Sequence, residues 1–316
     1  MKLMHLSEIK KNLNIQHAVT LQEEGFVLYS KNKVMVPPVG YMNFGKETGE
    51  AHIKYGWIEG DPIYVVKIAG AFYQNPLKHE LPAIQGIILV FDAVTGQTRA
   101  VLQDEGYLTN IRTAMAGLIT AKYLSPKKIT GIGVLGTGVQ AHLQVELLKQ
   151  HTDCKKLYVW GRNPKSIEQY INDMKAKGFQ VKPSPSISEL CNSCNLIIST
   201  TSAKEPLILS NNIQPGTHIT AVGADAPGKQ ELDPNIFRMA DLCVVDSKSQ
   251  CIDHGETYYA YEAGIIQQTD LIELGELIDN PRLQRKTEDQ ITIADLTGVS
   301  VQDIQIAKAV FQSGIS

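Results

Sequence analysis

The sequence has little that would suit a secreted, membrane-bound or nucleic-acid-binding protein. Its 316 residues include five cysteines, an odd number that does not match a disulfide framework. A net charge of −3 offers no basic surface to attract nucleic acid. No uninterrupted apolar run of about 18 residues occurs, and the N-terminal MKLMHLSEIKKNLN lacks the apolar region of a signal peptide. We therefore expect a cytoplasmic protein with no membrane or nucleic-acid partner.

The cysteines do not indicate a metal or redox site either. Cys191 and Cys194 form a CxxC pair, but no second pair of cysteines or histidines at ligand spacing completes a zinc site. The pair precedes the apolar stretch NLIIST and does not open a helix that would lower a thiol pKa. We interpret both cysteines as small core residues and predict no bound metal.

Patterns of apolar residues predict two kinds of structure along the chain. From Thr109, an Ala- and Leu-rich stretch predicts a helix that ends before Ser125 and Pro126. Beyond Lys127 strand-like and helix-like stretches alternate, which is typical of a parallel sheet. Antiparallel strands are predicted for the first third by three β-branched and aromatic runs, GFVLYSKNKVMVPPVGY, AHIKYGWIEGDPIYVVKIAGAFY and QGIILVFDAVTGQTRAVLQDEGYL.

A dinucleotide-binding motif opens the second region. The predicted strand Ile129 to Leu135 runs into Gly-Thr-Gly-Val-Gln-Ala and then into a helix that ends near His151, as the fingerprint requires. The glycines allow a tight turn and the close approach of a diphosphate, whose charge is met by the N-terminal amides and the dipole of the helix. The predicted cofactor-binding residues here are Gly136, Thr137, Gly138, Val139 and Gln140.

The end of the second strand bears on the choice of nicotinamide cofactor. A carboxylate at this position would bind a ribose 2′-hydroxyl, but KKLYVWGRNPKS places Arg162 and Asn163 after Trp160 and offers no carboxylate. A guanidinium suits a 2′-phosphate. We predict that NADPH is preferred and that NADH is possible; the alternative is that Arg162 is a solvated turn residue.

Three further strands are predicted in CNLIISTTSA, THITAVGADA and ADLCVVDS, and each ends in small or polar residues. Because ligands bind at the carboxyl ends of strands in such sheets, we expect Thr200, Thr201 and Val222 to lie near the cofactor. The second of these strand ends continues into AVGADAPGKQEL, a bend that holds Asp225 and Lys229. Asp225 either serves a ligand or caps the next helix, and Lys229 either binds substrate or is a surface charge.

Several stretches together resemble the ornithine cyclodeaminase/mu-crystallin family, over roughly residues 34 to 312: TGQTRAVLQDEGYLTNIRTAMAG, GVLGTGVQAHLQ, VGADAPGKQELD, ELGELI and ITIADLTGVSVQDIQIA. The resemblance implies an NAD(P)-dependent enzyme acting on the Cα–N bond of amino or imino acids, and a homodimer. The expected fold class is α/β, with a Rossmann-type doubly wound parallel sheet and a second, mainly antiparallel α+β domain. We predict a substrate-binding and dimerisation domain over 1–122 with 301–316, and a dinucleotide-binding domain over 123–300.

The resemblance also implies roles for individual residues. It assigns Lys67 and Arg112 to the substrate carboxylate, Thr113 to the neighbourhood of the cofactor diphosphate, Asp225 to the catalytic centre and Lys229 to the substrate. Chemistry leads to similar roles, since hydride delivery to a C=N carbon needs a carboxylate anchor, a proton source and an anion to stabilise the iminium. We therefore predict Asp225 and Lys67 as catalytic residues.

One position departs from the family pattern. Many relatives carry an arginine after the double proline near the N-terminus, whereas this chain has Val39 after Pro37 and Pro38. One expected carboxylate ligand is therefore missing. His52 or Lys54 are the candidates to replace it, and a hydrated edge strand is the alternative reading of that stretch.

The predicted function is reduction of an imino acid, such as pyrroline-2-carboxylate to L-proline, by NAD(P)H. A cyclodeaminase that converts ornithine to proline and ammonia is an alternative, but its redox-neutral cycle has no need of NADPH. Alanine dehydrogenase and dicarboxylate imine reductase are further alternatives, the latter because Lys54, Lys67 and Lys229 could meet a second carboxylate. The reading outside catalysis is an NADPH-dependent binding protein of the mu-crystallin kind.

Overall fold

The computed structural model describes residues 1–45, 48–72 and 74–314. Its internal contacts divide the chain into two compact units. Unit 1 comprises residues 1–112 with the segment from Val299 onwards, and unit 2 comprises residues 113–298. The first division falls inside the helix Tyr107–Leu124, earlier in the chain than the boundary predicted after residue 122. Substrate binding and dimerisation remain predicted roles for unit 1.

Unit 1 is built on one mostly antiparallel sheet. The strands follow the order β1-β7-β6-β5-β4-β2, with β3 also on β4, and β1 alone runs parallel to its neighbour β7. The elements up to the division are β1 (Lys2–His5), α1 (Leu6–Asn12), α2 (Ile15–Ser30), β2 (Val34–Met35), β3 (Gly40–Asn43), β4 (Glu50–Ile58), β5 (Ile63–Ala71), α3 (Asn75–Lys78), β6 (Ile84–Asp92), β7 (Thr98–Gln103) and α4 (Tyr107–Leu124).

The strand predicted from Gly25 was wrong at its start, because residues 25–30 belong to helix α2. The β-branched and aromatic residues there suggested a strand. The buried residues of α2 instead follow a helical spacing that begins at Ala18, upstream of the stretch used for the prediction. Gly25 allows close packing, since a Cβ there would lie 2.7 Å from Cγ of Gln305. Tertiary packing therefore overrides local strand propensity.

Unit 2 contains an eight-stranded sheet in the order β10-β9-β8-β11-β13-β17-β15-β16, with every pair parallel. The strand order reverses beside β8, so the crevice for a ligand opens at the carboxyl ends of β8 and β11. The elements are β8 (Ile132–Leu135), α5 (Val139–Leu147), β9 (Lys156–Trp160), α6 (Pro164–Ala176), β10 (Gln180–Pro183), α7 (Ile187–Ser193), β11 (Leu196–Ser199), β12 (Lys204–Ile208), β13 (His218–Ala221), β14 (Gln230–Leu232), α8 (Asn235–Met239), β15 (Leu242–Val245), α9 (Lys248–Cys251), α10 (Glu256–Glu262), β16 (Leu271–Glu273), α11 (Leu274–Asp279) and β17 (Thr292–Asp295).

The central strands of unit 2 are buried along their whole length, as expected for a parallel sheet covered on both faces. Cys191 and Cys194 lie in this core, as predicted, and burial raises the pKa of the Cys191 thiol to about 11. Among residues 1–45, 48–72 and 74–314, no group of three His, Cys, Asp or Glu side chains could hold a metal ion. No helix in those ranges has the length and apolar character needed to span a membrane.

The last helix, α12 (Ser300–Ser313), belongs to unit 1. It packs on β4, β5 and α2. Lys308 anchors it by donating to both carboxylate oxygens of Asp61, at 2.7 and 2.8 Å. The helix thereby brings its buried polar residues against the strands of the unit 1 sheet.

Candidate active site

The turn after β8 has the geometry of a diphosphate-binding loop. Gly136 adopts a φ of 108°, and a Cβ there would lie 2.5 Å from Oγ1 of Thr200. Both the backbone conformation and the contact with Thr200 therefore require glycine at this position. Gly138 is the N-cap of α5, and a Cβ there would meet nothing within 4 Å. The space before the α5 N-terminus is therefore open to a ligand, and the first N–H groups of a helix, which have no intrahelical acceptor, suit an anion. These residues fit a dinucleotide.

A cavity of about 710 Å³ lies at this end of the sheet. Six of the predicted cofactor-binding residues line it: Gly136, Thr137, Arg162, Asn163, Thr200 and Thr201. The remaining lining residues are Trp160, Gly161, Ser202, Ala203, Lys204, Glu205 and Leu207. The structure thus brings together the ends of β8, β9 and β11 as the sequence predicted.

The end of β9 offers a guanidinium and no carboxylate to the cavity. Arg162 is exposed there. Asn163 caps helix α6, because its Oδ1 accepts from the backbone N–H groups of Lys165 (2.9 Å) and Ser166 (3.2 Å). Only the side-chain amide nitrogen of Asn163 is left to face a ligand. Arg162 is the charged residue that the end of β9 contributes to the cavity lining, and Lys204 and Glu205 line the cavity from β12.

Five other predicted cofactor residues are not part of the cavity lining: Gly138, Val139, Gln140, Val222 and Thr113. Val139 begins α5 and is 58% exposed. Gln144 links Gln140 to Thr113, because its Nε2 donates to Oε1 of Gln140 (3.4 Å) and to the carbonyl of Thr113 (3.2 Å). Val222 is buried and its N–H donates to the carbonyl of Ser199 (3.0 Å), which extends the ladder between β13 and β11.

Asp225 and Lys229 form an ion pair in the bend after β13. Lys229 Nζ lies 2.5 Å from Oδ1 of Asp225, and the Asp225 side chain is 55% exposed. The bend continues into strand β14 at Gln230, and the next helix, α8, is N-capped by Pro234. Asp225 therefore does not cap this helix, which removes the helix-cap alternative for this carboxylate.

Unit 1 holds a separate buried cluster of charges. Lys67 of β5 donates from Nζ to Oδ1 of Asp303 on α12 at 2.8 Å, and Nε of Arg112 lies 3.2 Å from the same oxygen. Arg112 Nη1 also donates to Oε1 of Gln302 (3.0 Å), whose Nε2 donates back to the Arg112 carbonyl (3.2 Å). Two of the residues predicted to bind a substrate carboxylate are thus brought together around one acidic side chain.

Burial tunes the charges of this cluster. Loss of solvent lowers the pKa of Lys67 to about 7, with Arg112 and Lys54 adding to the effect while Asp303 opposes it. Burial acts to raise the pKa of Asp303, but the charges of Lys67 and Arg112 outweigh it and hold that pKa below its usual value. Lys67 can therefore exchange a proton near neutral pH, while Asp303 stays ionised.

Lys54 lies directly opposite Lys67 on the paired strands β4 and β5. Facing side chains of like charge destabilise a sheet unless an anion lies between or beside them. His52 is on the same face of β4, where its Nε2 is 3.3 Å from Oε1 of Glu50 and its ring packs against Tyr41 at 5.1 Å between centroids. Of the two candidates to replace the missing arginine, Lys54 is the one whose charge acts on Lys67.

Sequence reasoning assigned no role to two buried acids of these sites. Asp303 lies within the family motif, between the apolar residues Val301 and Ile304, and this placement was a signal that it is buried and has a partner. Glu231 likewise lies near the end of the stretch AVGADAPGKQEL and is fully buried, accepting from the backbone N–H of Thr201 and of Gly223. Neither partner could be identified from spacing along the chain.

Solved structures resemble the whole chain. The Δ1-pyrroline-2-carboxylate reductase of Thermococcus litoralis, in complex with NADH and L-proline, matches with a TM-score of 0.90 and 26% identity over 100% of this chain and 98% of that one. The iminosuccinate reductase of Paracoccus denitrificans with NAD⁺ matches with 0.90 and 29%, over 99% and 96%. An archaeal alanine dehydrogenase dimer with bound NAD matches with 0.89 and 30%, over 100% and 96%.

These similarities confirm the predicted α/β fold class, and the names of the relatives bear out the prediction of an NAD(P)-dependent oxidoreductase. The model of the ornithine cyclodeaminase/mu-crystallin family matches residues 1–316. The chain therefore belongs to the ornithine cyclodeaminase/mu-crystallin family.

Proposed function

We propose that the protein is an NAD(P)H-dependent reductase of an imino acid, a ketimine such as Δ1-pyrroline-2-carboxylate, which it converts to the amino acid. The observation that carries the proposal is the buried pair of cations, Lys67 and Arg112, around the single carboxylate of Asp303. A substrate carboxylate would balance this positive charge. Anchoring a carboxylate beside the C=N carbon is what fixes the face that accepts hydride.

The nucleotide unit fits the cofactor of such a reaction. The turn at Gly136 and the open N-terminus of α5 would hold its diphosphate. When bound, the reduced nicotinamide supplies the hydride. Thr200, which donates from Oγ1 to the carbonyl of Leu135 at 2.9 Å, fixes the cavity wall beside the turn.

Four charged residues would do the remaining work. Arg112 holds the substrate carboxylate through its guanidinium, while Lys67, whose pKa burial lowers to about 7, can give a proton from Nζ or share the carboxylate. Asp225 supplies the anion that stabilises the iminium or relays its proton. Lys229, paired with Asp225, orients that carboxylate and contributes to substrate binding.

The cofactor we propose is NADPH in preference to NADH. Arg162 lines the cavity at the end of β9, and the stretch from Trp160 to Ser166 has no carboxylate that would accept from a ribose 2′-hydroxyl; Glu205, which also lines the cavity, belongs to β12. A guanidinium binds a phosphate through two parallel N–H donors. An enzyme that uses NADPH consumes it, so this preference supports a net reductase over a redox-neutral cyclodeaminase.

A reductase of a dicarboxylic imino acid is the second candidate. The specific observation in its favour is Lys54, whose charge reaches Lys67 from the opposite strand. A second substrate carboxylate at Lys54 would relieve that repulsion. The resemblance to the iminosuccinate reductase of Paracoccus denitrificans agrees with this alternative.

We also propose that the protein is a homodimer joined through the sheet of unit 1. Helix α12 packs on the face of β4 and β5 that includes Lys67. Successive residues of a strand point to opposite faces, and the residues between those of the α12 face form an apolar surface on the other side of the sheet. The pairs on this surface are Ile53 with Ile68, Tyr55 with Val66, Ile68 with Ile87, and Val66 with Leu89. Apolar surface of this kind marks a protein interface.

The test of the proposed reaction is a substrate panel. Purified protein is mixed with NADPH or NADH and with Δ1-pyrroline-2-carboxylate, iminosuccinate, or pyruvate plus ammonia, and loss of reduced-nicotinamide absorbance is followed. L-Ornithine with NAD⁺ is the cyclodeaminase arm. We expect fastest turnover of the cyclic imine with NADPH. Tight NADPH binding without turnover of any substrate would favour the non-catalytic binding protein.

A further inference from the structure

A buried carboxylate joins the two loops that leave neighbouring strands of the nucleotide unit. Glu231 of β14 accepts from the backbone N–H of Thr201 through Oε1, at 2.5 Å, and from that of Gly223 through Oε2, at 2.9 Å. Thr201 follows β11 and Gly223 follows β13. Glu231 is completely buried, so water does not substitute for these acceptors.

Each of the two loops carries part of the proposed site. The first includes Thr200 and Thr201, which line the nucleotide cavity. The second leads from Gly223 to Asp225, two residues further on. Because Glu231 binds the backbones of both loops, it sets the distance between the cavity wall and the Asp225 carboxylate.

The contact is too close for any residue other than glycine at position 223. A Cβ at Gly223 would lie 2.2 Å from Oε2 of Glu231 and 2.2 Å from the carbonyl oxygen of Thr201. Gly223 does not have a positive φ. The glycine is explained by this close approach and not by backbone conformation.

A second buried acid holds Glu231 in place. Glu256 of α10 accepts from the backbone N–H of Glu231 (2.7 Å) and of Leu232 (2.8 Å). Strand β14 in turn pairs with β12, where Lys204 lies opposite Gln230. Lys204 also lines the cavity. Hydrogen bonds thus connect helix α10, strand β14 and both loops into one support for the cavity wall.

We propose that Glu231 is a positioning residue, which fixes the cofactor-binding loop at Thr200–Thr201 relative to the bend that carries Asp225. It does so through two backbone hydrogen bonds and touches neither substrate nor cofactor. This inference rests on the proposed function for its effect on turnover, but its effect on nucleotide binding is independent of the substrate.

The test compares Glu231→Gln with the parent protein. The carboxamide keeps one acceptor but turns an NH₂ group toward the other backbone N–H, so one loop is released. We expect kcat with the best imino acid to fall roughly 10- to 100-fold, because small displacements of reacting groups have effects of that size. The KM for the imino acid should stay near the parent value, and the dissociation constant for NADPH, measured by fluorescence, should rise.

Asp246→Asn is the matched control. Asp246 is also a buried acid of unit 2, and it accepts from the backbone N–H of Gly298 at 2.6 Å and from the Thr297 hydroxyl at 3.0 Å. It should lose a comparable amount of thermal stability while NADPH affinity stays unchanged. Equal losses of NADPH affinity in both variants would show a merely structural role and overturn the inference.

A second measurement decides the matter if Glu231→Gln does not fold. In the parent protein, the amide hydrogens of Thr201 and Gly223 should exchange slowly, although both residues lie beyond the strand ends; rapid exchange would overturn the inference. If the parent binds NADPH but reduces no imino acid, the proposed function fails, whereas the role of Glu231 is still judged by NADPH affinity and amide exchange.

Discussion

Lys67 and Asp303 form an ion pair in which both side chains are almost completely buried, with 2.8 Å between Nζ and Oδ1. Arg112 approaches the same oxygen to 3.2 Å, while Oδ2 of Asp303 accepts no hydrogen bond from the described part of the chain. One carboxylate thus serves two cations. The charges of the cluster depend on one another, and removing any one of them changes the other two.

Asp303→Asn should strongly destabilise unit 1. The substitution leaves two buried cations without a counter-charge, and breaking a buried pair in this way costs about 3–5 kcal/mol. Urea denaturation measures the loss. Adding Lys67→Met should recover part of it, since one uncompensated charge is then gone. A loss of about 1 kcal/mol or less, which is the range of exposed ion pairs, would contradict the assignment.

The pH dependence of substrate capture should follow the titration of Lys67. Its pKa is lowered to about 7, so the cation is complete below that pH and lost above it. Because the charged form attracts the substrate carboxylate, kcat/KM should fall by about tenfold per pH unit above the inflection. Lys67→Arg should remove this inflection, since arginine remains protonated. An inflection that persists in the variant would belong to another group, such as the substrate imine itself.

Local patterns were enough to predict the nucleotide unit. The run from Ile132 through the two glycines to α5 is contiguous, and each part needs only its neighbours to be recognised. Helix α2 was mispredicted after Gly25 because its packing against Gln305 depends on a residue far along the chain. Asp303 gained no role for the same reason, since its partner Lys67 is 236 residues away. Long-range pairing, and not propensity, determines these features.

Arg162→Asp should shift cofactor preference from NADPH toward NADH. A carboxylate at this edge of the cavity repels a 2′-phosphate and accepts from a 2′-hydroxyl. The measurement is the ratio of kcat/KM for the two cofactors with one imino acid. Lys165→Asp makes the same change of charge at an exposed position outside the cavity lining. An unchanged ratio in Arg162→Asp, or an equal shift in both variants, would contradict a specific role for Arg162.

Ile68→Lys should weaken the proposed dimer. Ile68 is 38% exposed at the centre of the apolar face of the unit 1 sheet, where it pairs with Ile53 and Ile87. Placing a charge there should raise the dimer dissociation constant by more than about tenfold, as for a central interface residue. Light scattering at micromolar concentration reports the mass. Val94→Lys, in a turn and 90% exposed, should leave the dimer intact. A monomeric parent protein would refute the proposal.

Replacing the Asp225 carboxylate should lower turnover without lowering the stability of the fold. Its side chain is 55% exposed, and its ion pair with Lys229 is therefore worth only about 0–1 kcal/mol to folding. Asp225→Asn keeps the shape of the side chain but removes the negative charge that stabilises an iminium. We expect kcat to fall about 10²- to 10³-fold with little change in melting temperature or NADPH affinity.

Lys229→Ala should behave differently from Asp225→Asn. If Lys229 attracts the substrate in the ground state and the transition state alike, its removal raises KM for the imino acid and leaves kcat near the parent value.

Asp253→Asn is the control for Asp225→Asn, because Asp253 is another exposed acid of unit 2, 3.1 Å from Nδ1 of His254. Parent-like kcat in Asp225→Asn would remove the carboxylate from the chemistry. Its ion pair with Lys229 would then be a feature of the bend alone.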